Sequence, residues 1–127
     1  MFKFRVDASD AVLLIIDLQE RLLNAMKDRE KVVSNTRLLL AAAKQFNIPV
    51  IVSEQYPRGL GATVPEIKDE LAEYHYIEKV QFSAYVDELL KTIAGIKRQT
   101  FIVVGTETHV CVFQTVRDLV EAGYNVQ

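Results

Sequence analysis

The sequence predicts an α/β fold, a three-layer α/β/α sandwich around a mainly parallel sheet, and three observations predict it. Short apolar runs such as Val12-Leu-Leu-Ile-Ile16 and Phe101-Ile-Val-Val104 show no polar alternation, as expected of strands buried on both faces. Other segments carry apolar residues at helical spacing, as at Val112, Val116, Leu119 and Val120. The two kinds alternate in the order β-α-β-α-β-α-β-α-β, which implies parallel strands joined by right-handed crossovers.

Taken in order, the first strand is predicted over 12–16, with Asp17 immediately after it. A carboxylate at the end of a buried strand costs stability unless it is paired or used, whereas a helix N-cap would suit Asp equally well. The spacing predicts a helix over 29–46, with Val32, Val33, Thr36, Leu39, Leu40, Ala43 and Phe46 inward. Asn47 ends it, and Pro49–Ser53 is the second strand. Glu54–Thr63, with Pro57, Gly59 and Gly61, reads as a loop. Thr63-Val-Pro-Glu66 reads as a capping box opening a short helix through Leu71. Tyr74–Val80 is the third strand and contains Lys79, whose context alone suggests a surface charge. A helix over 84–93 follows, with Val86, Leu89, Leu90 and Ile93 inward and Gly95 ending it. The fourth strand, Phe101–Val104, breaks at Gly105, the chain restarts as a helix capped by Gly123, and Asn125–Gln127 opens a fifth strand.

The 127 residues form a single predicted domain able to bury roughly two-thirds of its unfolded surface. Half the residues are hydrophobic and the formal net charge is -2, with Lys and Arg dispersed, so nucleic acid is not an expected partner. One cysteine excludes an internal disulfide and a Cys-rich metal site, and a reducing cytoplasm is the expected compartment. MFKFRVDASD lacks the apolar core of a signal peptide, and no apolar run approaches the ~18 residues of a membrane span.

The single cysteine, Cys111, falls near a predicted helix N-terminus at the carboxyl end of a predicted strand, where open α/β sheets place ligand crevices. Such a terminus should lower a thiol's pKa and favour the thiolate, although a lone Cys is also an ordinary small core residue. Asp17 and Lys79 each lie at the end of a different strand. In a parallel sheet those ends share one edge, so a nucleophile, a base and a charge-stabilising amine could converge there.

The segments Leu14-Ile-Ile-Asp-Leu-Gln19, Lys79-Val-Gln-Phe-Ser-Ala84 and Gly105-Thr-Glu-Thr-His-Val-Cys111 together resemble the isochorismatase-like cysteine hydrolase superfamily. The likeness covers essentially the whole chain. Ser53-Glu-Gln-Tyr-Pro-Arg-Gly-Leu-Gly61 further resembles the isochorismatase-domain-containing subgroup. The resemblance implies Cys111 as nucleophile, Asp17 as base and Lys79 as third member of a triad. It also implies a non-proline cis peptide between Thr106 and Glu107, with the backbone N–H groups of Glu107 and Cys111 as oxyanion hole. Two departures stand out. Where nicotinamidases carry an Asp-x-His metal-binding pattern, this chain has Ser53-Glu54-Gln55, so no catalytic metal or other cofactor is expected. The chain also ends one strand short of the family's usual sheet, without its C-terminal strand and helices, so an uncovered edge favours a homo-oligomer.

The resulting expectation is strand order 3-2-1-4-5 and a metal-independent cysteine hydrolase that cleaves a small amide or related carbonyl substrate through a thioester. Gln19, Gln55, Tyr56, Phe82 and His109 are candidate substrate contacts, core packing being the alternative for Tyr56 and Phe82. His75 is expected at the surface or in a structural role. A noncatalytic, partner-binding relative is the alternative function. A nucleotide or flavin binder is disfavoured because Asp17-Leu-Gln-Glu20 stands where a glycine-rich phosphate loop would be needed.

Overall fold

Every residue of Ala11–Ile16 is buried, and this strand, β1, is the centre of the sheet in a computed structural model that describes residues 5–127. The stretch read above for a leader begins at residues 1–4, which lie outside the described residues. β2 (Val50–Gln55), β3 (His75–Lys79), β4 (Thr100–Gly105) and β5 (Asn125–Val126) complete a sheet of order β3-β2-β1-β4-β5. All its pairs are parallel, as expected.

Within the unbroken apolar run of β1, successive side chains enter opposite layers, because strand side chains alternate across the sheet. Leu13 and Ile15 join Val50 and Val52 beneath α2 (Arg29–Gln45), through Val33, Leu40 and Ala43. Leu23 of α1 (Glu20–Asn24) and Ile67 of α4 (Pro65–Lys68) close that layer. Val12, Leu14 and Ile16 join Ile51, Ile77 and Phe101 on the other face. There they meet Leu89 and Ile93 of α5 (Asp87–Ile96) and Leu119 of α6 (Phe113–Glu121). Burying each of these Leu and Ile side chains stabilises by about 1.5–3 kcal/mol.

Several local expectations are corrected. α1 was not foreseen, since five residues are too few to show a period, and the predicted 54–63 loop contains a single helical turn, α3 (Pro57–Leu60). The capping box does not form: both the Thr63 N–H and hydroxyl donate to the Glu54 carboxylate, and Glu66 pairs with Arg29 at 2.7 Å. α5 begins later than predicted and runs through Gly95, ending where Lys97 adopts φ 59° and its N–H donates to Ile93 O. Phe46 at the end of α2, together with Leu90 and Val120, is exposed rather than inward.

Candidate active site

Register builds the site. Ile16 pairs with Ser53 on one side and Gly105 on the other, and Gln55 pairs with Lys79, so the carboxyl ends of four strands lie level. Asp17, one residue beyond β1, turns back at φ 53° while its N–H donates to Ser53 O at 3.1 Å. Gly105 lets β4 pass close by: at φ 146°, a Cβ there would sit 2.1 Å from the Ile16 carbonyl oxygen. The Thr106–Glu107 peptide that follows is cis, as the family resemblance implied.

Asp17 and Lys79 form an ion pair of 2.7 Å with both side chains fully buried, so neither the N-cap reading of Asp17 nor the surface reading of Lys79 holds. The pair is well satisfied. Ser53 Oγ donates to Asp17 Oδ1 at 2.8 Å. Lys79 Nζ also lies within donating distance of Gln55 Oε1 (3.0 Å), Gln81 O (3.1 Å) and Phe82 O (2.8 Å). A buried pair persists when its remaining hydrogen-bonding capacity is met in this way.

Cys111 lies in a π-helical turn, Thr108–Val112, that leads into α6, and is 6% exposed. Its thiol donates to Gln55 Oε1 at 3.3 Å, and its carbonyl accepts the Thr115 hydroxyl at 2.6 Å. Burial first, and then the neighbouring Asp17 charge, push the thiol up to about 11, against opposing pulls from Lys79 and the Glu107 backbone amide. The expected depression by the helix terminus is therefore overturned, and desolvation outweighs it. At neutral pH the sulfur holds its proton, with the Asp17 carboxylate beside it.

The other expected contacts divide. Gln55 touches both Lys79 and Cys111. Gln19 is fully buried and clamps a backbone: its Oε1 accepts the Gln55 N–H, and its Nε2 donates to Gln55 O and Gly61 O. Tyr56 and Phe82 are about half exposed, which removes the core alternative, and Phe113 is exposed as well. His109 is exposed, 3.8 Å from the Glu107 carboxylate, and His75 lies exposed at the start of β3. Sequence reasoning missed two supports of the site. Ser53 orients the Asp17 carboxylate, and Thr106 ties β4 to the Asp17 carbonyl through its hydroxyl at 2.8 Å. Among the described residues, no three His, Cys, Asp or Glu side chains are grouped to hold a metal ion.

The Isochorismatase domain model matches residues 11–127. The chain belongs to the isochorismatase family. It is 35% identical over 117 residues to isochorismatase domain-containing protein 2 of Xenopus laevis, covering 91% of this chain and 56% of that protein. This supports the isochorismatase-domain-containing subgroup as the nearest branch. Among solved structures, the MAR1 ribonuclease of Caenorhabditis elegans superposes with a TM-score of 0.90 at 41% identity, covering 96% of this chain and 63% of that one. The YcaC gene product of Escherichia coli, described as an octameric hydrolase of unknown specificity, superposes with a TM-score of 0.87 at 30% identity, covering 97% of this chain and 63% of that one. The chain thus spans a little over half the length of the curated relative and under two-thirds of each structure. Among the described residues, no helix is long and apolar enough to cross a membrane.

Proposed function

We propose that this chain carries the catalytic centre of a cysteine hydrolase acting on a small amide or related carbonyl compound, with Asp17, Lys79 and Cys111 as its triad. One observation carries the reading: a fully buried Asp17–Lys79 ion pair lies beside the only cysteine in the protein, linked to it through Gln55. A buried ion pair is a poor device for stability alone, because its desolvation offsets its attraction. Beside a nucleophile it has chemical use.

In the proposed reaction Asp17 takes the proton from Sγ as the sulfur attacks the carbonyl carbon. A thiol held near 11 yields little thiolate at rest, so this transfer accompanies attack. The N–H groups of Glu107 and Cys111 hold the oxyanion, and losing one such donor typically lowers kcat by ~10²–10³. Lys79 keeps the carboxylate oriented and balances its charge. The proton passes from Asp17 to the departing amine, leaving a thioester. Asp17 then takes a proton from the attacking water, the acid is released, and the thiol is restored. Tyr56, Phe82 and His109 form the exposed rim against which substrate would rest, with no metal or organic cofactor assigned a part.

The C. elegans relative favours a second reading, because it is described as a ribonuclease. The net charge of -2 and the fully engaged Lys79 ammonium give that reading little support in phosphate binding. The octameric E. coli relative supports a homo-oligomeric assembly, and the lone free thiol suits a reducing cytoplasm. Mass spectrometry of the protein soaked with a panel of small amides tests the main reading. An acyl group trapped on Cys111 supports it. Acylation persisting in Cys111→Ala, or RNA cleavage abolished by that same substitution, refutes it.

A further inference from the structure

The Gln55 side chain can face the site in only one way. An ammonium attracts the carboxamide oxygen and repels its NH2 group, and the atom 3.0 Å from Lys79 Nζ is the oxygen. The same Oε1 accepts the Cys111 thiol at 3.3 Å. The Nε2 donors are thereby turned away from the ion pair, and no protein acceptor takes them among the described residues. Gln55 is itself partly exposed, at the level of the crevice mouth. Its backbone cannot drift, because the buried Gln19 amide grips both its N–H and its carbonyl. A neutral pair of N–H donors therefore belongs to the same carboxamide whose oxygen touches the sulfur. Lys79 offers nothing comparable, since its ammonium has four acceptors for three hydrogens and its side chain is fully buried.

We propose that Gln55 Nε2 is the specificity donor of the Cys111 crevice, selecting substrates that place a neutral carbonyl-type acceptor next to the carbon that sulfur attacks. This rests on Cys111 being the nucleophile and narrows the substrate class. Neutral amides and ketones gain a partner at Gln55, while the triad's own cation leaves no free N–H for a carboxylate. Because Oε1 touches the thiol, the donor also stays in register with the sulfur.

The test compares two electrophiles on the intact protein: iodoacetamide, which carries the acceptor, and allyl bromide, which does not. Rates are read by intact mass for the wild type, Gln55→Met and Gln55→Glu. Any change in thiol pKa alters both rates alike and cancels in their ratio. Gln55→Glu keeps an oxygen for Lys79 and removes the N–H donors, and the effect of its added charge on the thiol pKa cancels in the ratio, so it remains informative should Gln55→Met fail to fold. The Gln19 clamp holds backbone atoms and survives both changes. The expected result is an iodoacetamide-to-allyl bromide ratio that falls roughly threefold to tenfold in each folded variant, the range of one lost hydrogen bond. An unchanged ratio in either folded variant overturns the assignment. Alkylation needs no turnover, so a failure to trap any acyl group on Cys111 would refute the proposed reaction while this ratio still judged Gln55.

Discussion

Replacing Asp17 with Asn should make Cys111 a better target for alkylation while abolishing turnover. In the wild type the thiol stands at about 11 against an ordinary 9.0, through burial first and then the Asp17 charge and hydrogen bond. Asn keeps the size of the side chain but removes the charge, and leaves Lys79 to favour the thiolate unopposed. At pH 8 a thiol of pKa about 11 is ionised to ~1 part in 1,000, and one at 9.0 to ~1 part in 10. Complete relief would thus raise the thiolate population ~100-fold. Two units of lost basicity lower intrinsic nucleophilicity ~10-fold, leaving a net gain of up to about 10-fold. Since burial remains, the gain should fall below that ceiling. The assay is pseudo-first-order iodoacetamide labelling at pH 8, repeated in increasing sub-denaturing urea. Reaction from the native state is independent of urea, whereas reaction through unfolding is not, which separates the electrostatic effect from lost stability. A urea-independent rate equal to or below the wild type would refute the reasoning.

Other outcomes follow from the same contacts. Lys79→Met leaves a buried carboxylate unpaired and should destabilise by ~3–5 kcal/mol in urea denaturation. The Asp17→Asn/Lys79→Met double variant should lose less than the sum of its parts, which a double-mutant cycle measures. The raised thiol pKa stabilises the fold below the ordinary value of 9.0, and this contribution is lost as pH rises from there through about 11. Cys111→Ala should therefore flatten the stability–pH curve across that window relative to the wild type. Gly105→Ala places a Cβ 2.1 Å from the Ile16 carbonyl oxygen at φ 146°, so it should lower the melting temperature by several degrees or prevent folding.

The sheet was legible because its central strands are apolar on both faces, and only parallel strands covered on each side bury six consecutive residues as β1 does. Helix ends were less legible. Gly95 looks like a stop, but α5 passes through it because Ile93 and Ile96 still have a face to cover, and the left-handed Lys97 ends the helix instead. Thr63 and Glu66 have the spacing of a capping box. The sequence does not reveal that Glu54, nine residues earlier, would claim the Thr63 hydroxyl.

At the site, position along the chain and position in space carried different information. Asp17, Lys79 and Cys111 stood out because a reactive side chain at the end of an apolar strand is conspicuous in one dimension, and parallel register turns that into proximity. What their proximity does to each of them was not legible. A helix terminus acting on Cys111 alone would lower its pKa, but burial and a fixed carboxylate outweigh a partial charge at the start of a turn and raise it. The same holds for Gln19, Ser53 and Thr106. Each is a plain polar residue in the sequence, and each acts through side-chain hydrogen bonds to atoms 36 or more positions away. Their function lies in the partner rather than in the residue type. A site of this kind therefore shows its candidate groups in the sequence, while the fold alone supplies the contacts that set the protonation of Cys111.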